Sequence, residues 1–96
     1  MHTRKHILDT LRGLKPELAR YKAQEVGVFG SCARAEQTEA SDVDLLVEFA
    51  PGAGLFDLVA LGDFLEQQLH RRVDIVTTRA LREEMRSQVM RELVPV

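Results

Sequence analysis

The run from Val43 to Phe49 constrains the architecture more than any other stretch of the chain. Five of its seven residues are Val, Leu or Phe, and the clean alternation of a strand with one wet face is missing. A strand of that kind is expected to be covered on both faces. Ser41-Asp42 ahead of it is turn-like, and Pro51-Gly52 ends it. Two further strands are legible. Glu25 to Phe29 sets Val26 and Val28 against Gly27 and Phe29, and Arg72 to Thr77 carries Val73, Ile75 and Val76.

Helical spacing fills the intervals. Ile7, Leu11, Leu14 and Leu18 recur at four, three and four residues, one stripe on a helix. Gly13 and Pro16 interrupt that stripe, and Pro belongs in a first turn rather than an interior. The pattern predicts a helix near His6 to Arg12 and a short second one near Pro16 to Tyr21, with one kinked helix equally compatible. Gly30-Ser31 breaks the first strand, and Ala33 to Thr38 suits a short helix with Ser31 or Cys32 near its start. Leu55 to Leu69 reads as a helix with Leu55, Leu58, Val59, Leu65 and Leu69 inward. Thr78 suits the N-cap of a last helix from Arg79 to about Leu93, and Pro95 ends it. This order predicts an α/β (α+β) fold, a small mixed sheet covered by helices.

With 96 residues, the length fits a single domain spanning 1–96. A chain this small buries a modest fraction of its surface, so a partner chain or a self-association (homo-oligomer) surface is expected. The net charge of −2 and the lack of a long basic run argue against general nucleic-acid binding. Trp is absent and Tyr21 is the single Tyr, which leaves little for stacking on single strands. Cys32 is the lone cysteine, so no disulfide framework exists. With no apolar signal region after Met1 to Lys5 and no bilayer-length apolar stretch, a cytoplasmic location and no membrane association are expected.

The chemistry concentrates in Val28-Phe29-Gly30-Ser31-Cys32-Ala33-Arg34 and Ser41-Asp42-Val43-Asp44. Asp42 and Asp44, one residue apart at the mouth of a strand, point to the same side. Two carboxylates that close repel and favour a proton or a cation between them. Their oxygens suit a hard ion such as Mg²⁺, with Mn²⁺ as an alternative. Asp74 interrupts the apolar run Val73-Asp74-Ile75-Val76, where burial of an unpaired charge is costly. If that strand lies beside Val43 to Phe49, three carboxylates share one cleft and can hold two ions. One would acidify an acceptor hydroxyl and the other would neutralise a triphosphate. Gly30-Ser31, at a strand-to-helix junction, allows close backbone approach and offers free N–H groups and a hydroxyl to a phosphate, with Arg34 adding charge.

The order Gly-Ser, then Asp-x-Asp before Leu-Leu-Val, then Val-Asp-Ile-Val resembles the minimal nucleotidyltransferases, a branch of the DNA polymerase beta-like superfamily. The resemblance covers Val26 to Val96, including the ending Arg91-Glu92-Leu93-Val94-Pro95-Val96. It implies the nucleotidyltransferase fold, with Gly30, Ser31 and Arg34 toward the nucleotide and Asp42, Asp44 and Asp74 as catalytic metal ligands. It implies ATP as donor with Mg²⁺. It also implies a role as the antitoxin of a helical HEPN-domain toxin, silenced by AMP transfer to a tyrosine. Ala35 departs from the family's usual Gly and bears on loop geometry rather than on the ligands.

Other residues carry a blander reading. His2, His6, His70 and Cys32 lack the spacing of a zinc site. Arg71 and Arg72 read as a surface charge pair, and Met85, Val89 and Leu93 as the core face of the last helix. Two functional readings remain: an enzyme, and a non-catalytic antitoxin that works by occlusion. A purely structural α/β domain accounts poorly for three retained carboxylates beside Gly30-Ser31.

Overall fold

The computed structural model describes residues 4–33 and 42–96, with Ser31 and Cys32 described through their backbone alone. The expected Ala33 to Thr38 helix therefore falls largely outside the described residues, as do Arg34, Ala35 and Ser41. The elements are α1 (Arg4–Gly13), α2 (Lys15–Arg20), β1 (Ala23–Phe29), α3 (Gly30–Ala33), β2 (Val43–Phe49), α4 (Leu55–Leu69), β3 (Val73–Thr77), α5 (Glu83–Glu92) and β4 (Val94–Pro95). Gly13 and Pro16 divide the first stripe into two helices, with Pro16 in the first turn of α2, where its missing N–H costs nothing.

The strands form one mixed sheet in the order β3-β2-β1-β4. β1 pairs antiparallel with β2 and with β4, whereas β2 and β3 run parallel. A parallel neighbour requires a crossover, and the 15-residue α4 supplies it. The core lies between one sheet face and the helices. Val28, Val43, Leu45 and Val47 meet Ile7, Leu8 and Leu11 of α1, Leu18 of α2, and Leu61, Leu65 and Leu69 of α4. The opposite face is covered in part. Leu46 is buried there, and Leu93 at the end of α5 seats directly on Gly27.

That seat depends on the absence of a side chain. A Cβ on Gly27 would lie 2.6 Å from Leu93 Cδ1 and 2.8 Å from Leu93 Cγ. Gly27→Ala is expected to cost about 1–3 kcal/mol by overpacking. In the Leu93→Ala background the same change should cost clearly less, which urea unfolding of the two single variants and the double variant would check.

Several sequence expectations are corrected. β4 was not anticipated; Val94 and Pro95 pair with Val28 and Gly27, and the Val96 amide donates to the Val26 carbonyl at 3.0 Å. A two-residue strand is too short to leave a periodic signal. The last helix starts at Glu83, not Arg79, and its N-cap is Arg82 rather than Thr78. Thr77 accounts for the delay: its hydroxyl and its carbonyl each accept the Ala80 amide at 3.1 Å, a turn that competes with helix. Met85 is exposed rather than core. In α4, Leu55 and Val59 face solvent at 74% and 50% exposure, beside Phe56 at 90%. The buried stripe centres on Leu61, Leu65 and Leu69, and at about 100° per residue Val59 falls roughly a third of a turn from its middle.

Candidate active site

The paired strand ends build the site. Phe29 is the antiparallel partner of Asp44, and Asp44 is the parallel partner of Asp74. Residues in register share a sheet face, so Asp44 and Asp74 stand side by side on the face opposite the main core. Asp42 lies just ahead of β2 and two residues before Asp44, which places it on the same side. The backbone thus brings all three carboxylate-bearing residues to one end of one face.

Their environments differ. Asp42 and Asp74 are exposed and Asp44 is half-buried. The burial expected for Asp74 is therefore corrected: β3 is a border strand of the sheet, and the carboxylate reaches water. The penalty for a buried charge does not apply, and a role for Asp74 must rest on its register with Asp44.

Gly30 completes the arrangement. It follows the last residue of β1 and opens α3 with φ +75°, a region costly for residues with a Cβ. Its Cα packs against the Asp44 side chain so closely that an added Cβ would collide with carboxylate Oδ2 and lie 3.2 Å from Cγ. The sequence signalled a close backbone approach at Gly30 but not its partner Asp44, which lies 14 positions away. The start of α3, Gly30 and Ser31, is thus set directly beside Asp44. Arg34 and the Ser31 side chain lie outside the described residues.

Carboxylate oxygens on adjacent strands form a donor set of the kind a hard divalent ion takes. Among the described residues, however, no group of three or more His, Cys, Asp or Glu side chains converges closely enough to hold an ion. The backbone positions fit the ion, and the side chains must turn toward one another to enclose it. Asp42 and Asp44 are the residues that would hold it, with Asp74 at its border.

A family model, the nucleotidyltransferase domain, matches residues 11–96. The chain belongs to the nucleotidyltransferase family. The protein adenylyltransferase MntA of Thermococcus cleftensis is 40% identical over 97 residues, spanning 100% of this chain and 98% of that relative. A Methanocaldococcus jannaschii chain assigned as a protein adenylyltransferase is 37% identical, with 95% of this chain and 98% of the relative covered. Among solved structures, one assigned as a minimal nucleotidyltransferase superposes with a TM-score of 0.88 at 41% identity, covering 99% of this chain and 97% of that one. A toxin–antitoxin structure with AMP-PNP matches at a TM-score of 0.68 and 26% identity, covering 96% of this chain and 70% of that one. The small mixed sheet wrapped by helices is the nucleotidyltransferase fold. Among the described residues, no helix of this nucleotidyltransferase is long and apolar enough to cross a membrane.

Proposed function

We propose that this nucleotidyltransferase transfers AMP from ATP to a hydroxyl, a tyrosine, of a partner HEPN toxin and acts in the cytoplasm as its antitoxin. The observation that carries the reading is the register of Asp44 with Asp74 beside the Gly30 helix start. The full-length likeness to protein adenylyltransferases supports it. Mg²⁺, or Mn²⁺, bound at Asp42 and Asp44 would supply Lewis acidity, neutralising triphosphate charge and acidifying the acceptor hydroxyl.

The chain's own groups do the rest. Gly30 and Ser31 present backbone amides, and Arg34 a guanidinium, to the triphosphate. Asp42 and Asp44 would hold the cation that offsets the triphosphate charge. The acceptor oxygen attacks the α-phosphorus, the bond to the β-phosphate oxygen breaks, and pyrophosphate leaves. Asp74 takes the hydroxyl proton. Its exposure suits that work, because the acceptor arrives on another protein and must approach from solvent.

Occlusion without transfer is the second reading. Asp74→Asn separates the two. The variant should keep substantial ATP–Mg²⁺ affinity and lose at least about a hundredfold in transfer rate, the size expected for a positioned proton acceptor. Its melting temperature should barely move, since the side chain is exposed. Labelled-ATP transfer to the purified partner, calorimetric titration of ATP and growth rescue provide the readouts. Rescue without labelled product would establish occlusion; normal labelling and rescue would remove Asp74 from the mechanism.

A further inference from the structure

The peptide linking Arg72 to Val73 is held from both sides. On the inner side the Arg72 carbonyl accepts the Val43 amide at 2.9 Å. A trans peptide points its C=O and N–H in opposite directions, so the Val73 amide faces away from β2, at the open border of the sheet. On a border strand such an amide is ordinarily left to water. Here the Glu66 carboxylate accepts it, with Oε2 at 3.0 Å in a partly buried contact. Glu66 lies in the last turn of α4, and its main-chain carbonyl accepts the His70 amide at 2.8 Å. His70 closes the helix in the left-handed region at φ 55°. One residue therefore holds both the end of α4 and the first amide of the strand that carries Asp74.

We infer that Glu66 is a positioning residue for Asp74. The clamped peptide immediately precedes Asp74, and the amide of Val43, flanked by Asp42 and Asp44, holds its other side. Glu66 thereby fixes the height of Asp74 against Asp44. Without the outer tie, β3 is held at its start by β2 alone, and the carboxylate loses its setting relative to the acceptor. The inference rests on the proposed role of Asp74.

The test measures transfer kinetics and melting temperature in Glu66→Leu, Glu66→Gln, Glu66→Asp, Asp74→Asn and the Glu66→Leu/Asp74→Asn double variant. Glu66→Leu should lose at least about tenfold in kcat through misplacement, with KM for ATP within about twofold. Glu66→Gln, whose amide oxygen still accepts, should stay within about threefold of the native rate. The double variant should be no slower than Asp74→Asn alone, because Glu66 acts through Asp74. Native kcat in Glu66→Leu, a Gln variant as slow as Leu, or losses that multiply in the double variant would each overturn the inference. Should Glu66→Leu not fold, Glu66→Asp, one methylene too short to reach, carries the same expectation of a kcat loss. Native rate in Asp74→Asn would remove the role of Asp74 and this inference with it. A slow Asp74→Asn beside a native-rate Glu66→Leu would remove the positioning role alone.

Discussion

Asp42→Asn and Asp44→Asn should each abolish AMP transfer while leaving the fold intact. Both residues stand at the mouth of β2 on the face opposite the main core, and neither belongs to the buried cluster. An amide keeps the shape of the carboxylate but loses the charge that a divalent ion requires. The metal-free Asp42→Asn protein should melt at or slightly above the native temperature, because the change removes one member of a group of neighbouring negative charges. The loss should appear as failure to label the partner at any Mg²⁺ or Mn²⁺ concentration, with circular dichroism unchanged. Undiminished transfer by either purified variant would show that this carboxylate is no ligand.

Gly30→Ala is expected to damage both stability and transfer, through two separable causes. The first is the backbone: a residue with a Cβ at φ +75° costs about 1–2 kcal/mol. The second is the collision with the Asp44 carboxylate, which must rotate out of its seat. The rotation displaces a proposed metal ligand, so the transfer rate should fall on the order of a hundredfold even where the protein remains folded. Background dependence separates the causes. In Asp44→Ala the collision is gone, and Gly30→Ala should then cost the backbone term alone. Equal costs in both backgrounds, measured by denaturant unfolding, would show that the packing against Asp44 has no energetic weight.

The parts of this molecule that were legible in its sequence are those encoded locally. β2 and α4 have the boundaries expected from the apolar run and from the helical period, and the split between α1 and α2 follows Gly13 and Pro16. The expectation that Asp42 and Asp44 share a side rests on alternation at the mouth of a single strand. What pairing decides was not legible. β4 exists because Val94 and Pro95 find Val28 and Gly27, a contact without local periodicity. Asp74 was expected to be buried because its neighbours are apolar, yet strand order left it at a border. The Glu66 clamp leaves no pattern at all, since a glutamate in a last helical turn is ordinarily a solvated residue. Leu55 and Val59 passed for core because spacing identifies a stripe without fixing its rotation toward the sheet.

The parallel pairing of β2 with β3 gives the site an order of assembly. Gly30 and Asp44 come together when β1 and β2 close as neighbours in sequence, a short-range event. Asp74 joins only after the 15 residues of α4 have crossed over, a longer loop closure that reaches its reward late. The contact between Gly30 and Asp44 is therefore expected to close ahead of the pairing that brings in Asp74.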